Sequence, residues 1–146
     1  MKFQEDFREF IRLLNESRVE YLIVDGYAVA LYGYPRLTGD LDVWIKPSLE
    51  NARKVIDVLR KFGLGTVDLN EKDFSTEYKI IQLGYPPVRI DIVTTVDGLT
   101  FGECFAAKNE TMIDDIKMNF IQLDHLKINK KIVGRHKDID DLENMK

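Results

Sequence analysis

The sequence predicts an α+β fold, a mixed α/β arrangement in which short strands and amphipathic helices share one small sheet. Three observations carry this. Short apolar or alternating runs at 21–24, 40–46 and 88–94 are each bounded by turn residues, the pattern of strands. Apolar residues recur at helical spacing in 2–17 and again from Ala52 to Phe62. Between 77 and 94 a strand-like run, EYKIIQL, meets a second, VRIDIVT, across Gly84-Tyr85-Pro86-Pro87, which reads as an antiparallel hairpin.

Residues 2 to 17 form the first helix, with Phe3, Phe7, Phe10, Ile11 and Leu14 as a core stripe and Glu5, Arg8, Glu9, Arg12 and Glu16 between them. Tyr21 to Val24 is a buried strand, broken at Asp25 and Gly26, and YAVALY at 27–32 is small and apolar enough for a short helix against a sheet. Gly33, Pro35 and Arg36 turn the chain into the strand from Asp40 to Ile45. Ser48 is a helix N-cap, and Ala52, Val55, Ile56, Leu59 and Phe62 mark a helix ending at Gly63. Residues 64–76 read as a loop with one helical turn at 71–74. After the hairpin come a short helix at 100–107, a small hairpin of 110–113 and 116–120 around Asp114-Asp115, and a helix over 122–132 closed by Gly134. A last helix, 137–145, carries Ile139, Leu142 and Met145 inward. With no repeat or linker, one domain over 1–146 is the simplest division.

Hydrophobic content of 45% with 32% charged residues indicates a soluble globular protein and excludes a disordered one. No apolar run approaches the ~20 residues of a membrane helix. The start, MKFQEDFREF, has no apolar signal core, so the expected location is cytoplasmic. A single cysteine, Cys104, excludes an internal disulfide and a cysteine metal cluster. His125 and His136 stand alone, without a partner at metal-ligand spacing. Net charge of −4 argues against broad non-specific DNA binding, yet residues 127–137 hold five of the 21 Lys and Arg. That cluster is either a local basic surface or an ordinary solvated helix face.

Candidate chemistry lies on the second and fourth strand patterns. Side chains alternate along a strand, so Asp40 and Asp42 point to one face about 7 Å apart, and Leu41 and Val43 to the other. Like charges on one face repel, and a hard divalent cation such as Mg²⁺ resolves the conflict while leaving positions for phosphate. In 88–94, Val88, Ile90 and Ile92 take one face and Arg89 and Asp91 the other. If this strand pairs beside 40–46, Asp91 joins Asp40 and Asp42. Three carboxylates can then hold two metals across a phosphoryl transfer. A helix starting near Gly26 would offer backbone N–H groups to an anion.

The ordered set Gly26-x-Ala28-x4-Gly33-x2-Arg36-x-Thr38-x-Asp40-x-Asp42 resembles the nucleotidyltransferases of the DNA polymerase beta superfamily, above all their minimal single-domain members. The ending, Leu126-x3-Lys130-x4-Arg135-x-Lys137-Asp138-x2-Asp141-Leu142, is similar to the closing signature of the same group. The resemblance implies a small mixed sheet flanked by helices and transfer of a nucleoside monophosphate from an NTP, with Mg²⁺ or Mn²⁺. The acceptor is open: RNA, protein or small molecule. It assigns Asp40, Asp42 and Asp91 to metal binding and catalysis, and Gly26, Arg36, Thr38 and Lys130 to the nucleotide. Arg36 has a second reading, as an ion-pair partner of Asp91 or Asp40. Asp138 and Asp141 read as an internal ion-pair network joining the last two helices.

One position departs from the pattern. The family carries Gly-Gly where this chain has Asp25-Gly26. Asp25 either caps the short helix or opposes a triphosphate unless it faces away or meets a metal. Two further functions therefore stand beside the enzyme: a non-catalytic descendant that binds nucleotide, RNA or protein, and a toxin–antitoxin component with its partner.

Overall fold

The computed structural model describes residues 3–35, 38–64 and 68–145. Among the described residues, seven α-helices and six strands follow in the order α1 (Glu5–Glu16), β1 (Tyr21–Val24), α2 (Gly26–Leu31), β2 (Asp40–Ile45), α3 (Leu49–Leu59), α4 (Glu71–Ser75), β3 (Ile80–Tyr85), β4 (Val88–Val93), α5 (Phe101–Ala106), β5 (Asn109–Ile113), β6 (Ile116–Phe120), α6 (Leu123–Val133) and α7 (His136–Asn144). The strands make one sheet in the order β3-β4-β2-β1-β6-β5. β1 runs antiparallel to β2, while β2 and β4 are parallel. The mixed sheet with flanking helices is the fold class the sequence predicts.

The sheet has two chemically different faces, fixed by the period-2 alternation of its strands. Leu41, Val43 and Ile45 of β2 and Ile90 and Ile92 of β4 are fully buried on the back. α1 packs against β4 and β6, with α3 beside it. Phe7, Phe10, Ile11 and Leu14 form its inner stripe and are buried, as their spacing requires. Phe10 meets Phe62 edge-on at 5.2 Å between ring centroids, tying α1 to the turn after α3. The front face carries Asp40, Asp42 and Trp44 of β2. Trp44 is capped edge-on by Phe101 at 5.2 Å, which places α5 over that face.

Local signals explain the boundaries. The Ser48 hydroxyl accepts the Asn51 N–H at 3.2 Å, the N-cap of α3. Asn51 itself is buried and stitches β1 to β2, accepting from the Glu20 N–H and donating to the Glu20 and Lys46 carbonyls. Gly134 closes α6 in the left-handed conformation, φ 65°. α3 does not continue to Gly63 as the spacing predicts. It ends at Leu59 and gives way to a π-helical turn, Arg60–Leu64, in which Gly63 sits at φ 98°.

Two other expectations are corrected. The strand predicted over 77–83 begins only at Ile80. The N–H groups of Tyr78 and Lys79 are taken instead by the hydroxyls of Thr95 and Thr94, at 2.8 and 2.9 Å. Ile139 is not inward: it is 47% exposed, because Asp138 and Asp141, both fully buried, occupy the inner face of α7 together with Met145. Among the described residues, no helix is long and apolar enough to cross a membrane.

Candidate functional site

Asp42 and Asp91 are direct register partners on the parallel pair β2–β4, and Asp40 faces Arg89 one step away. All four side chains therefore leave the same, front face of the sheet. Arg89 forms a bidentate pair with Asp91, its Nε and Nη2 each 3.1 Å from a carboxylate oxygen, and its Nε lies 3.6 Å from Asp40. The sequence missed this pairing, which an i, i+2 spacing on one strand face does signal. Arg36, the partner expected there, lies outside the described residues.

Asp42 is left the least compensated of the three. Burial pushes its carboxyl up to about 7, and the charges of Asp25, Asp91 and Asp40 push the same way. Lys137 opposes them only weakly. Among the described residues no three acidic, His or Cys side chains stand together as a finished metal cage. The three acids share one face and register, with a guanidinium against Asp91 and Asp40, and do not close around a metal in this arrangement. Carboxylates without sulfur or imidazole are the donor type of a hard divalent cation.

Gly26 opens α2, and its missing side chain has a structural reason. A Cβ there would run into the hydroxyl of Thr38, so the two family positions fit each other across the turn. Both line a polar cavity of about 480 Å³ that also holds Asp40, Asp42, Arg89 and Asp91. Arg135 and Lys137 add two cations to its wall.

Asp25 is not a helix cap. It makes no side-chain cap hydrogen bond, and its backbone sits at φ 55°, ψ −132°, a region natural to glycine and strained for an L-residue. Its carboxylate instead lies 2.7 Å from Lys130 Nζ and 3.5 Å from Lys137 Nζ. Lys130 is 1% exposed and also meets Asp138 and Asp141, each at 3.1 Å. Its three N–H donors thus face three carboxylates. Burial lowers the Lys130 pKa, but Asp25 and then the hydrogen bonds to Asp25, Asp141 and Asp138 outweigh it and hold the ammonium above its ordinary range.

Arg135 closes the network on the other side, its Nε 2.7 Å from Asp138. Burial alone would raise Asp138, yet hydrogen bonds from Arg135 and Lys130 bring it down to about 2. In this arrangement Lys130 ties α6, α7 and the β1–α2 turn together. Lys137, whose side chain is 48% exposed, is presented to the polar cavity beside Arg135. No local signal joins Asp25 to Lys130, 105 residues away.

A second cavity, about 330 Å³ and mostly apolar, adjoins the first on the front face. Asp25, Asp42, Ile80, Val93 and Arg135 line both. α6 and the segment after β4 wall it, through Leu126, Asn129, Val133 and Val96. The sequence reading missed this cavity, since its walls come from five separate stretches.

Residues 3–146 match the profile of the family described as "Nucleotidyl transferase of unknown function (DUF2204)". The chain belongs to this family. No protein of curated function matches its sequence. Two solved structures share the fold. One is a presumed nucleotidyltransferase from Thermotoga maritima, 17% identical, with a TM-score of 0.63 over 94% of this chain and 88% of that one. The other is the lincosamide antibiotic adenylyltransferase LnuA in a lincomycin-bound form, 17% identical, with a TM-score of 0.55 over 97% of this chain and 95% of that one.

Proposed function

We propose that this family member transfers a nucleoside monophosphate from an NTP to an acceptor hydroxyl or phosphate and releases pyrophosphate. The observation that carries the reading is the shared face of Asp40, Asp42 and Asp91, held in direct register on β2 and β4 beside the Gly26–Thr38 turn. Asp40, Asp42 and Asp91 would hold Mg²⁺ or Mn²⁺, which supplies charge stabilisation at the phosphoryl oxygens. Arg135 and Lys137 on the wall of the polar cavity offset the charge of the triphosphate. Asp91 takes the acceptor proton as the new O–P bond forms and the bond to pyrophosphate breaks. For that, Arg89 must release at least one oxygen of Asp91. Arg89 then stands at the same cavity wall, placed to meet phosphate.

The adenylyltransferase neighbour makes ATP with a small hydroxylated acceptor the first pair to test. Each labelled NTP is incubated with Mg²⁺ or Mn²⁺ and, in separate arms, total RNA, total protein and a panel of small hydroxylated molecules. Transfer of label to one arm, lost in Asp42→Asn, is the expected result. Absence of transfer in every arm, together with no binding of magnesium nucleotide by calorimetry, would sink the proposal.

A further inference from the structure

The apolar cavity is a compartment that nucleotidyl transfer does not by itself assign. Two ligands must enter the front face, and Asp91 separates them. The acceptor has to reach Asp91, which lines the polar cavity and is not part of the apolar one. The apolar cavity instead meets the polar one at Asp42 and Val93, where the α-phosphate end of a nucleotide would turn inward. Its volume of about 330 Å³ and its aliphatic walls suit a planar heterocycle with its sugar.

The rim adds a flat surface. Tyr78 lines the cavity with 79% of its surface exposed. Its backbone is at φ 62°, unusual for a bulky residue, and the Thr95 hydroxyl fixes it there by accepting the Tyr78 N–H at 2.8 Å. An exposed ring carried at the cavity rim by a fixed backbone is a surface on which any base can stack.

Discrimination comes from Asn129. Its Nδ2 donates to the Asp97 carbonyl at 3.0 Å, which fixes the orientation of the amide. The Oδ1 accepts no hydrogen bond from any described residue and remains as an acceptor on the cavity wall. At the C6 position of a purine or C4 of a pyrimidine, an acceptor pairs with the amine of adenine or cytosine and opposes the keto oxygen of uracil or of guanine, whose amine lies on C2 instead.

We infer that the apolar cavity binds the nucleoside end of the substrate, stacked on Tyr78, and that Asn129 reads the purine C6 or pyrimidine C4 position, selecting the amine of ATP and CTP there over the keto oxygen of GTP and UTP. This inference rests on the nucleotidyl-transfer reading of the adjacent acids.

Calorimetric titration with Mg²⁺ and the α,β-methylene analogues of all four NTPs, with inorganic tripolyphosphate as the nucleoside-free probe, tests it. The ATP and CTP analogues should bind about tenfold tighter than the other two, the size of one lost hydrogen bond with an opposed acceptor. Asn129→Ala should bring the four affinities together and leave tripolyphosphate unchanged. Tyr78→Ala should weaken all four about tenfold or more, again without effect on tripolyphosphate. Equal affinities in the parent chain, a preference that survives Asn129→Ala, or nucleotides no tighter than tripolyphosphate would each overturn the inference and leave the phosphate site standing. No binding by tripolyphosphate or any nucleotide overturns both.

Discussion

Two groups of three aspartates lie side by side in this molecule, and they are treated in opposite ways. Asp25, Asp138 and Asp141 are gathered around a buried lysine, with Arg135 and Lys137 completing the balance of charge. Asp40, Asp42 and Asp91 have, among the described residues, one ion-pair partner, Arg89, and it reaches only Asp40 and Asp91. In the first group, hydrogen bonds from Arg135 and Lys130 hold Asp138 down to about 2; in the second, burial and then the neighbouring carboxylates push Asp42 up to about 7. Neutralised acids in the interior hold elements together. Under-neutralised acids at an open cleft store repulsion that an incoming cation relieves. The same residue type thus marks a strut in one place and a ligand set in the other, and partner count separates them.

The sharpest way to break the comparison is Lys130→Met. Three carboxylates would be left around an apolar side chain in a region where Asp138 and Asp141 side chains are at most 1% exposed. Loss of one partner from a buried charged group costs about 3–5 kcal/mol. Urea denaturation at pH 7 should show a drop of that size. A drop under about 1 kcal/mol would mean that Lys130 is not a strut.

Asp42→Asn should do the reverse. The folded carboxyl is raised from 3.8 to about 7, so between these values the native chain holds a proton that the unfolded chain has lost. Asp42 therefore lowers stability progressively as pH rises through that window, and the full cost, on the order of 4 kcal/mol, is present above pH 7. In metal-free buffer the variant should match the parent near pH 4 and exceed it by a few kcal/mol at pH 8. A variant less stable at pH 8 would make Asp42 a structural residue. Manganese affinity of the parent should also rise with pH up to about 7, as the proton leaves.

Much of this contrast was legible in the chain. Asp40, Asp42 and Asp91 declared their common face through period-2 alternation, and Ser48 and Gly134 declared helix ends through capping chemistry, all within a few residues of sequence. Whether the 88–94 strand lies beside 40–46 stood as a condition in the sequence, and its parallel direction and register are visible only in the structure. What stayed hidden was long-range. Nothing near Asp25 points to Lys130, and a polar inner face on α7 defeats a reading that sends Ile139 inward. Strand alternation puts Arg89 on the same face as Asp91, and the i, i+2 spacing carries their ion pair without any motif.

Arg89→Met sharpens the comparison from the cleft side. It removes the guanidinium that shares Asp91 with any bound metal, so manganese should bind more tightly than to the parent chain, read by titration. Weaker manganese binding would show that Arg89 positions Asp91 for the metal instead of competing with it.

The smallest effect is expected at Asp25, where both regions meet. Asp25→Gly relieves a backbone at φ 55° but removes one of the partners of Lys130, and the two changes oppose each other. Asp25→Ala removes the same carboxylate while retaining the strain. The alanine variant should therefore be less stable than the glycine variant by about 1–2 kcal/mol. Equal stabilities would show that the turn changes shape to suit the side chain.

The place of β2 in the sheet has a consequence for motion. With β1 on one side and β4 on the other, the backbone around Asp42 is bonded in both directions and belongs to the last part of the molecule to open. β3, which begins beside Tyr78, is an edge strand bonded to β4 alone. Amide exchange should accordingly be slowest across Leu41–Val43 and orders of magnitude faster at the outward edge of Ile80–Tyr85. The acids keep their spacing through the breathing of the molecule, while the border of the apolar cavity can yield as a ligand passes.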